Sequence, residues 1–267
     1  MISIIKIKNP VDDAERIREQ TWNRDLSGPT EKVKSIIEDI RKGGDRALLG
    51  FAETYDNVKE SVVVTKEEIN DAYENTSSKQ IKTIKYIKSE LEKSEKALLG
   101  KFSDIRIKSN GIDINKSLIP ISRIGCYVPG GKARYPSTVI MCSVPAKVAG
   151  VKQIVAISPP MKNGKIDPLT LVAGDICGID EFYKVGGAHG IAALAYGTET
   201  IKKVDKIVGP GGMYVSVAKS LVSKDTSIDM IAGPTELLIY ANKKTNPRFV
   251  ALDLISQAEH SEDTVCG

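Results

Sequence analysis

The sequence predicts an α/β fold built on a parallel sheet. Three observations carry that expectation. From Ile121 onward, short apolar stretches alternate with Ala-rich segments of helical length, the pattern of βαβ units. The short stretches are near-continuously apolar, as in Ile154 to Ile157, which strands buried on both faces require. Glycine turns recur where strands should hand over to helices: Pro129-Gly130-Gly131, Gly186-Gly187-Ala188 and Gly209-Pro210-Gly211-Gly212.

Residues 1–100 are highly charged and read as mainly helical. Val33, Ile36, Ile37, Ile40 and Leu48 fall at helical spacing, punctuated by Gly43 and Gly44. Ile81, Ile84, Ile87 and Leu91 share one face of a second helix. Lys79, Lys82, Lys85 and Lys88 form another stripe of that helix, which reads as a solvated face. Residues 102–120 predict short strands, with Asn110-Gly111 as a hairpin turn. Strands are then expected at 124–128, 153–158, 181–185, 205–208 and 227–231, and helices at 137–149, 168–177, 190–197 and 213–222. A last helix spans about 246–261. Asn246 is its N-cap, Pro247 takes N1, and Phe249, Leu252 and Ile255 supply part of a buried face.

Composition narrows the function classes. Of 267 residues, 41 % are hydrophobic and 27 % charged, enough apolar material for a core. The net charge of +4 comes from 38 basic and 34 acidic residues, a balance that argues against nucleic acid as a partner. Aromatics are few, which argues against stacking platforms for single strands. No stretch has the length of a membrane span, and MISIIKIKNP is too short and too soon broken by Lys to be a signal peptide. Cys126, Cys142, Cys177 and Cys266 show no CxxC spacing, so free thiols in a reducing cytoplasm are expected.

Two constellations could carry chemistry. In an open parallel sheet, ligands bind at the carboxyl ends of the strands, where a Gly turn lets backbone N–H groups approach a phosphate. The three turns fit a nucleotide crevice, although none matches GxGxxG. The second constellation is Ser256-Gln257-Ala258-Glu259-His260. Gln257 and His260 lie three apart and share a helix face. An imidazole with an amide oxygen can ligate zinc, but on spacing alone the two read as surface residues. The chain has two histidines, His189 and His260, so a self-contained His-rich metal site is excluded.

From Tyr127 the chain resembles the histidinol dehydrogenase family. YVPGGKARYPSTVIMCSVPAKVAGV (127–151), GGAHGIAALAYGT (186–198), VDKIVGPGG (204–212), AGPTE (232–236) and DLISQAEH (253–260) follow in family order, and GDRAL (44–48) fits too. The resemblance implies oxidation of L-histidinol to L-histidine through the aldehyde, the last step of histidine biosynthesis, with two NAD per turnover and one zinc per subunit. It implies Gln257 and His260 as zinc ligands that also touch substrate, Thr235 as a substrate contact, and Tyr127, His189 and Gly212 at NAD-contacting positions. His189 stands where the family usually has Gln, and Gly212 where it usually has Asn. It also implies a homodimer.

The family's Glu-His acid–base pair and two further zinc ligands should follow His260, and the sequence stops at Gly267. The expectation is therefore the N-terminal larger part of such an enzyme, a fragment inactive by itself. Two Rossmann-like domains are expected: 121–234, on the NAD side, and an incomplete first domain made of a helical segment in 1–120 plus 235–267. A related zinc-dependent alcohol dehydrogenase, such as one acting on sulfopropanediol, and a non-catalytic nucleotide-binding remnant are the competing readings.

Overall fold

The structure is a computed structural model that describes residues 8–22, 27–130, 134–231, 236–259 and 264–267. The chain forms two compact units, one of Pro29–Ala232 and one of Met1–Gly28 with Gly233–Gly267.

The larger unit is a three-layer sandwich. An antiparallel hairpin of β1 (Ile105–Ser109) and β2 (Ile112–Lys116) precedes its sheet, which holds β3 (Arg123–Tyr127), β4 (Gln153–Ile157), β5 (Glu181–Tyr183), β6 (Lys206–Val208) and β7 (Ser227–Ile228). The strand order is β5-β4-β3-β6-β7, and every pair is parallel. Strand alternation sends Ile124, Cys126, Val128, Ile154, Ala156 and Phe182 to one face and Tyr127, Val155, Ile157, Tyr183 and Ile207 to the other. Both faces are covered. α5 (Pro136–Val148) and α6 (Pro168–Cys177) close the first, with α3 (Lys66–Glu74) and α4 (Ser78–Leu99) packed outside them. α2 (Ser27–Asp56), α7 (Gly187–Tyr196) and α8 (Met213–Val222) close the second. This double cover is why the strands read as unbroken apolar runs.

The helix ends follow local rules. Thr65 and Glu68 form a capping box at α3, and Ser77 and Gln80 form another at α4. Asp167 caps α6 ahead of Pro168, and Gly178 ends that helix in the left-handed region. Val33, Ile36, Ile37, Ile40 and Leu48 are all buried, as their spacing predicts. α2 is two helices merged across Gly44, whose φ of 52° and ψ of −134° lie outside the helical region. Beyond that kink, the Asp45 N–H donates to Glu199 Oε2 at 2.7 Å, while the Thr200 hydroxyl donates to Asp45 Oδ2 at 2.6 Å.

The hairpin β1 (Ile105–Ser109) and β2 (Ile112–Lys116) turns through Asn110 and Gly111, both at positive φ, the geometry an Asn-Gly turn provides.

In the smaller unit, α1 (Pro10–Trp22) comes first. Later β8 (Glu236–Leu237) pairs in parallel with β9 (Val265–Cys266), beside α9 (Pro247–Ala258). Asn246 caps α9 and Pro247 takes its first turn. Two expectations need correction here. The first domain was expected to be incomplete, lacking the C-terminal strands that its 1–120 and 235–267 parts should pair with. Instead residues 236–237 and 265–266 pair, and the Gly267 N–H donates to the Leu237 carbonyl at 2.9 Å. Phe249, Leu252 and Ile255 were expected on a buried face, but they are 64 %, 53 % and 63 % exposed. Among the described residues, two short strands lie against α9 within its unit, too little to cover its apolar side.

Candidate functional site

The sheet order creates one point where the chain reverses direction across the sheet. It steps from β3 to β4 to β5, then returns to the other side of β3 for β6 and β7. The carboxyl ends of β3 and β6 therefore diverge into connections on opposite sides, the place where such sheets bind ligands. Tyr127, Val128 and Pro129 leave one strand there, and Val208 and Gly209 leave the other.

Three glycine positions shape this crevice, each differently. Gly209 has φ of 110°, and a Cβ there would collide with the Tyr127 carbonyl, so two backbones approach with no room for a side chain. Gly186 is the N-cap of α7, and its missing Cβ would press on the Pro159 ring. Gly212 is the N-cap of α8 at φ of −67°, and its Cβ direction is open space. Neither α7 nor α8 has a side-chain cap hydrogen bond. Their N-termini face outward from the sheet's carboxyl edge with backbone amides and the positive ends of two helix dipoles.

A carboxylate from α2 organises the α7 turn. Asp56 is buried and accepts the Gly186 N–H at 2.8 Å on Oδ2. The same oxygen lies 2.7 Å from His189 Nε2. With Asp56 ionised, that nitrogen carries the proton, because a carboxylate can only accept. His189 is 2 % exposed, and its ring lies 6.0 Å from each of the Phe51 and Tyr55 rings. Tyr127 is buried beside it, its hydroxyl accepting the Gly187 N–H at 3.4 Å. Burial, with some help from the Asp56 charge and against the Gly187 N–H, pushes the Tyr127 pKa up to about 12. Tyr127 thus stays a neutral phenol at neutral pH.

Tyr127, His189 and Gly212 are therefore brought to the carboxyl edge of one sheet. Gln257 lies half-buried near the end of α9, in the other unit. Thr235 and His260 fall outside the described residues. Among the described residues, no group of three or more His, Cys, Asp or Glu side chains gathers as a metal site. Asp56 was invisible to sequence reasoning: a helix-ending Asp in AETYDNV carries no motif, and its partner is 133 residues away.

The strand order and the paired glycine turns define a Rossmann-type α/β protein. Comparison with known proteins narrows this further. The family model for histidinol dehydrogenase matches residues 20–266. The chain belongs to the histidinol dehydrogenase family. It is 45 % identical to a histidinol dehydrogenase of Methanocaldococcus jannaschii, an alignment that takes in 98 % of this chain and 62 % of that protein. It is 48 % identical to one from Clostridium acetobutylicum over 85 % of this chain and 53 % of that protein. The crystal structure of histidinol dehydrogenase from Elizabethkingia anophelis superposes with a TM-score of 0.86 at 36 % identity, covering 98 % of this chain and 60 % of that one.

These matches replace the expectation of a fragment with an incomplete first domain by a family match along nearly the whole of this chain. The family match runs to residue 266, and both the sequence and the fold match over 98 % of the chain. The chain spans about three fifths of the length of these relatives.

Proposed function

We propose that this protein serves the NAD-dependent oxidation of L-histidinol to L-histidine through the aldehyde. The observation that carries the reading is a parallel sheet that reverses between β3 and β6, with glycine-started helices after β5 and β6 at its carboxyl edge, in a chain of the histidinol dehydrogenase family. Each of the two oxidations moves a hydride to NAD and releases a proton, and water adds to the aldehyde between them.

NAD belongs on the 121–234 side. Its pyrophosphate is an anion, and the α8 N-terminus offers backbone amides and a dipole end of the right sign. The fit is one of shape as well as charge: open space at Gly212 and the absence of a Cβ at Gly209 let a phosphate approach the backbone. Tyr127 provides a neutral hydroxyl beside the Gly187 amide. His189 acts by holding the turn, its Nε2 already engaged by Asp56. Gly212 acts through its backbone alone.

Gln257 and His260 would hold zinc, and Thr235 with these two would contact L-histidinol. An amide oxygen and an imidazole nitrogen are a donor pair that suits a borderline ion such as zinc. Zinc would supply Lewis-acid polarisation and a fixed point for the substrate's imidazole and amino groups. The chain's own residues hold and orient the substrate there. A second copy of the chain is the expected partner. The four cysteines are free, in keeping with a reducing cytoplasm, and no described helix is long and apolar enough to cross a membrane.

The test is direct. The purified protein with zinc, NAD and L-histidinol is followed by NADH absorbance, and NAD binding is followed by calorimetry. Saturable NADH formation with histidine as product supports the reading. NAD binding without turnover favours a nucleotide-binding role, and no binding of NAD rejects the crevice as its site.

A further inference from the structure

A second paired carboxylate sits at the sheet reversal, where the part-exposed Asp229 side chain meets a buried lysine. Lys219 lies inside α8 and is 3 % exposed. Its ammonium pairs with Asp229 Oδ1, just past β7, and donates to the Gly209 carbonyl at 2.9 Å. Asp229 Oδ2 accepts the Gly209 N–H at 2.8 Å. Asp229 is itself pinned, since the Met230 N–H donates to its Oδ1 at 2.6 Å and its own N–H donates to the Ile207 carbonyl at 3.1 Å.

One ion pair thus takes both polar groups of one glycine, the residue with φ of 110° that must pass against the Tyr127 backbone. An ion pair whose carboxylate reaches solvent contributes little to stability through its charges alone. The geometry here does something an apolar pair cannot: it fixes both peptide planes flanking Gly209. Pro210 follows with no N–H of its own, so this clamp sets how Gly211 and Gly212 leave the strand. The sign of the charges matters too. A carboxylate holds the Gly209 N–H here, and a bare carboxylate next to a phosphate site would repel its ligand. The Lys219 ammonium cancels that charge.

We propose that Lys219 and Asp229 are a positioning pair that holds the Gly209–Gly212 turn ready for the dinucleotide and masks the carboxylate from its phosphates. This rests on the crevice being the NAD site. Burial opposes ionisation of Asp229, and the Lys219 ammonium with the Gly209 and Met230 N–H groups more than offsets it, holding the carboxyl below its ordinary range.

The experiment titrates NAD against the wild-type protein, Lys219→Met, Asp229→Asn and the double variant, at low and high NaCl, with a thermal melt of each. Lys219→Met exposes a bare carboxylate and raises the NAD Kd by about tenfold or more at low salt, the penalty shrinking as salt screens it. The double variant, with no net charge left, recovers most of that loss. A merely structural pair would lower the melting temperatures and leave the Kd of the folded protein and its salt dependence unchanged, and that result overturns the proposal. So does a double variant that binds no better than Lys219→Met. Should the single variant fail to fold, hydrogen exchange of the Gly209 amide in NAD-free wild-type protein decides: slow exchange supports a turn held in advance, fast exchange rejects it. Wild-type protein that binds no NAD removes the crevice reading and this proposal together, whereas wild-type binding with unaltered variants removes this proposal alone.

Discussion

Asp56 and His189 meet through one carboxylate oxygen, which lies 2.7 Å from the imidazole Nε2 and also takes the Gly186 N–H at 2.8 Å. The last residue of α2 therefore holds both the first turn of α7 and the His189 side chain. Asp56→Ala leaves two buried donors without an acceptor and is expected to cost about 2–4 kcal/mol in urea unfolding. His189→Gln keeps a donor toward Asp56 and is expected to stay within about 1 kcal/mol of wild type. A His189→Gln protein as unstable as Asp56→Ala would show that the ring packing against Phe51 and Tyr55 dominates.

Two glycines in one turn should respond in opposite ways. Gly209→Ala places a methyl against the Tyr127 carbonyl at a φ reserved for glycine, and a loss of about 3 kcal/mol or more, or failure to fold, is expected. Gly212→Asn enters open space at an ordinary φ and adds a side-chain cap to α8, so a gain of a few tenths, roughly 0.3 kcal/mol, is expected. Thermal melts of both proteins check the contrast.

Acid sensitivity should centre on Arg123 and Glu181, at the amino end of the sheet. Arg123 is 5 % exposed and makes two hydrogen bonds to Glu181, at 3.0 and 2.5 Å. Hydrogen bonding from Arg123 holds the Glu181 carboxyl below its ordinary value of 4.5, against burial and with help from the Tyr183 hydroxyl. A depressed folded pKa means that this stability is full above the ordinary value and is lost as pH falls through the lower folded one. Glu181→Gln is expected to cost about 2–3 kcal/mol at neutral pH, by leaving the guanidinium without a counter-ion. Its stability should then fall less steeply than wild type on acidification. Denaturant midpoints at several pH values measure both effects, and parallel curves for the two proteins would refute the assignment.

If Gln257 and His260 hold zinc, removing either donor should show in metal content. After dialysis against a limited zinc buffer, Gln257→Ala and His260→Ala should each retain about tenfold less zinc than wild type. Equal zinc in all three proteins would place the metal elsewhere or nowhere on this chain.

Much of the larger unit was legible in the amino-acid order because its elements are governed locally. The helices at 168–177 and 213–222 have those bounds in the structure, set by Asp167-Pro168, by Gly178 and by the Gly212 turn. Gly186 hid the start of α7, since the glycines that end β5 are already the first turn of the helix. The β8–β9 pairing was hidden because strands of two residues carry no period. Asp56, Lys219 and Asp229 were hidden for another reason. Each looks like an ordinary charged residue of a helix or loop, and what makes it matter is a backbone group brought to it by the chain's return across the sheet.

The kink at Gly44 has a further consequence. The second part of α2 begins at Asp45, tied to Glu199 and Thr200 just past the end of α7, and finishes at Asp56, tied to the start of α7. The two helices run antiparallel and are cross-braced at both ends, like the rails of a ladder with two rungs. Neither can tilt or slide against the other without breaking a rung, so the span from Asp45 to Asp56 acts as a ruler. One residue inserted within it would advance Asp56 by about 1.5 Å and swing it by about 100° around the helix axis, away from Gly186 and His189. The number of residues in that span, more than their identity, decides whether the α7 turn has its carboxylate.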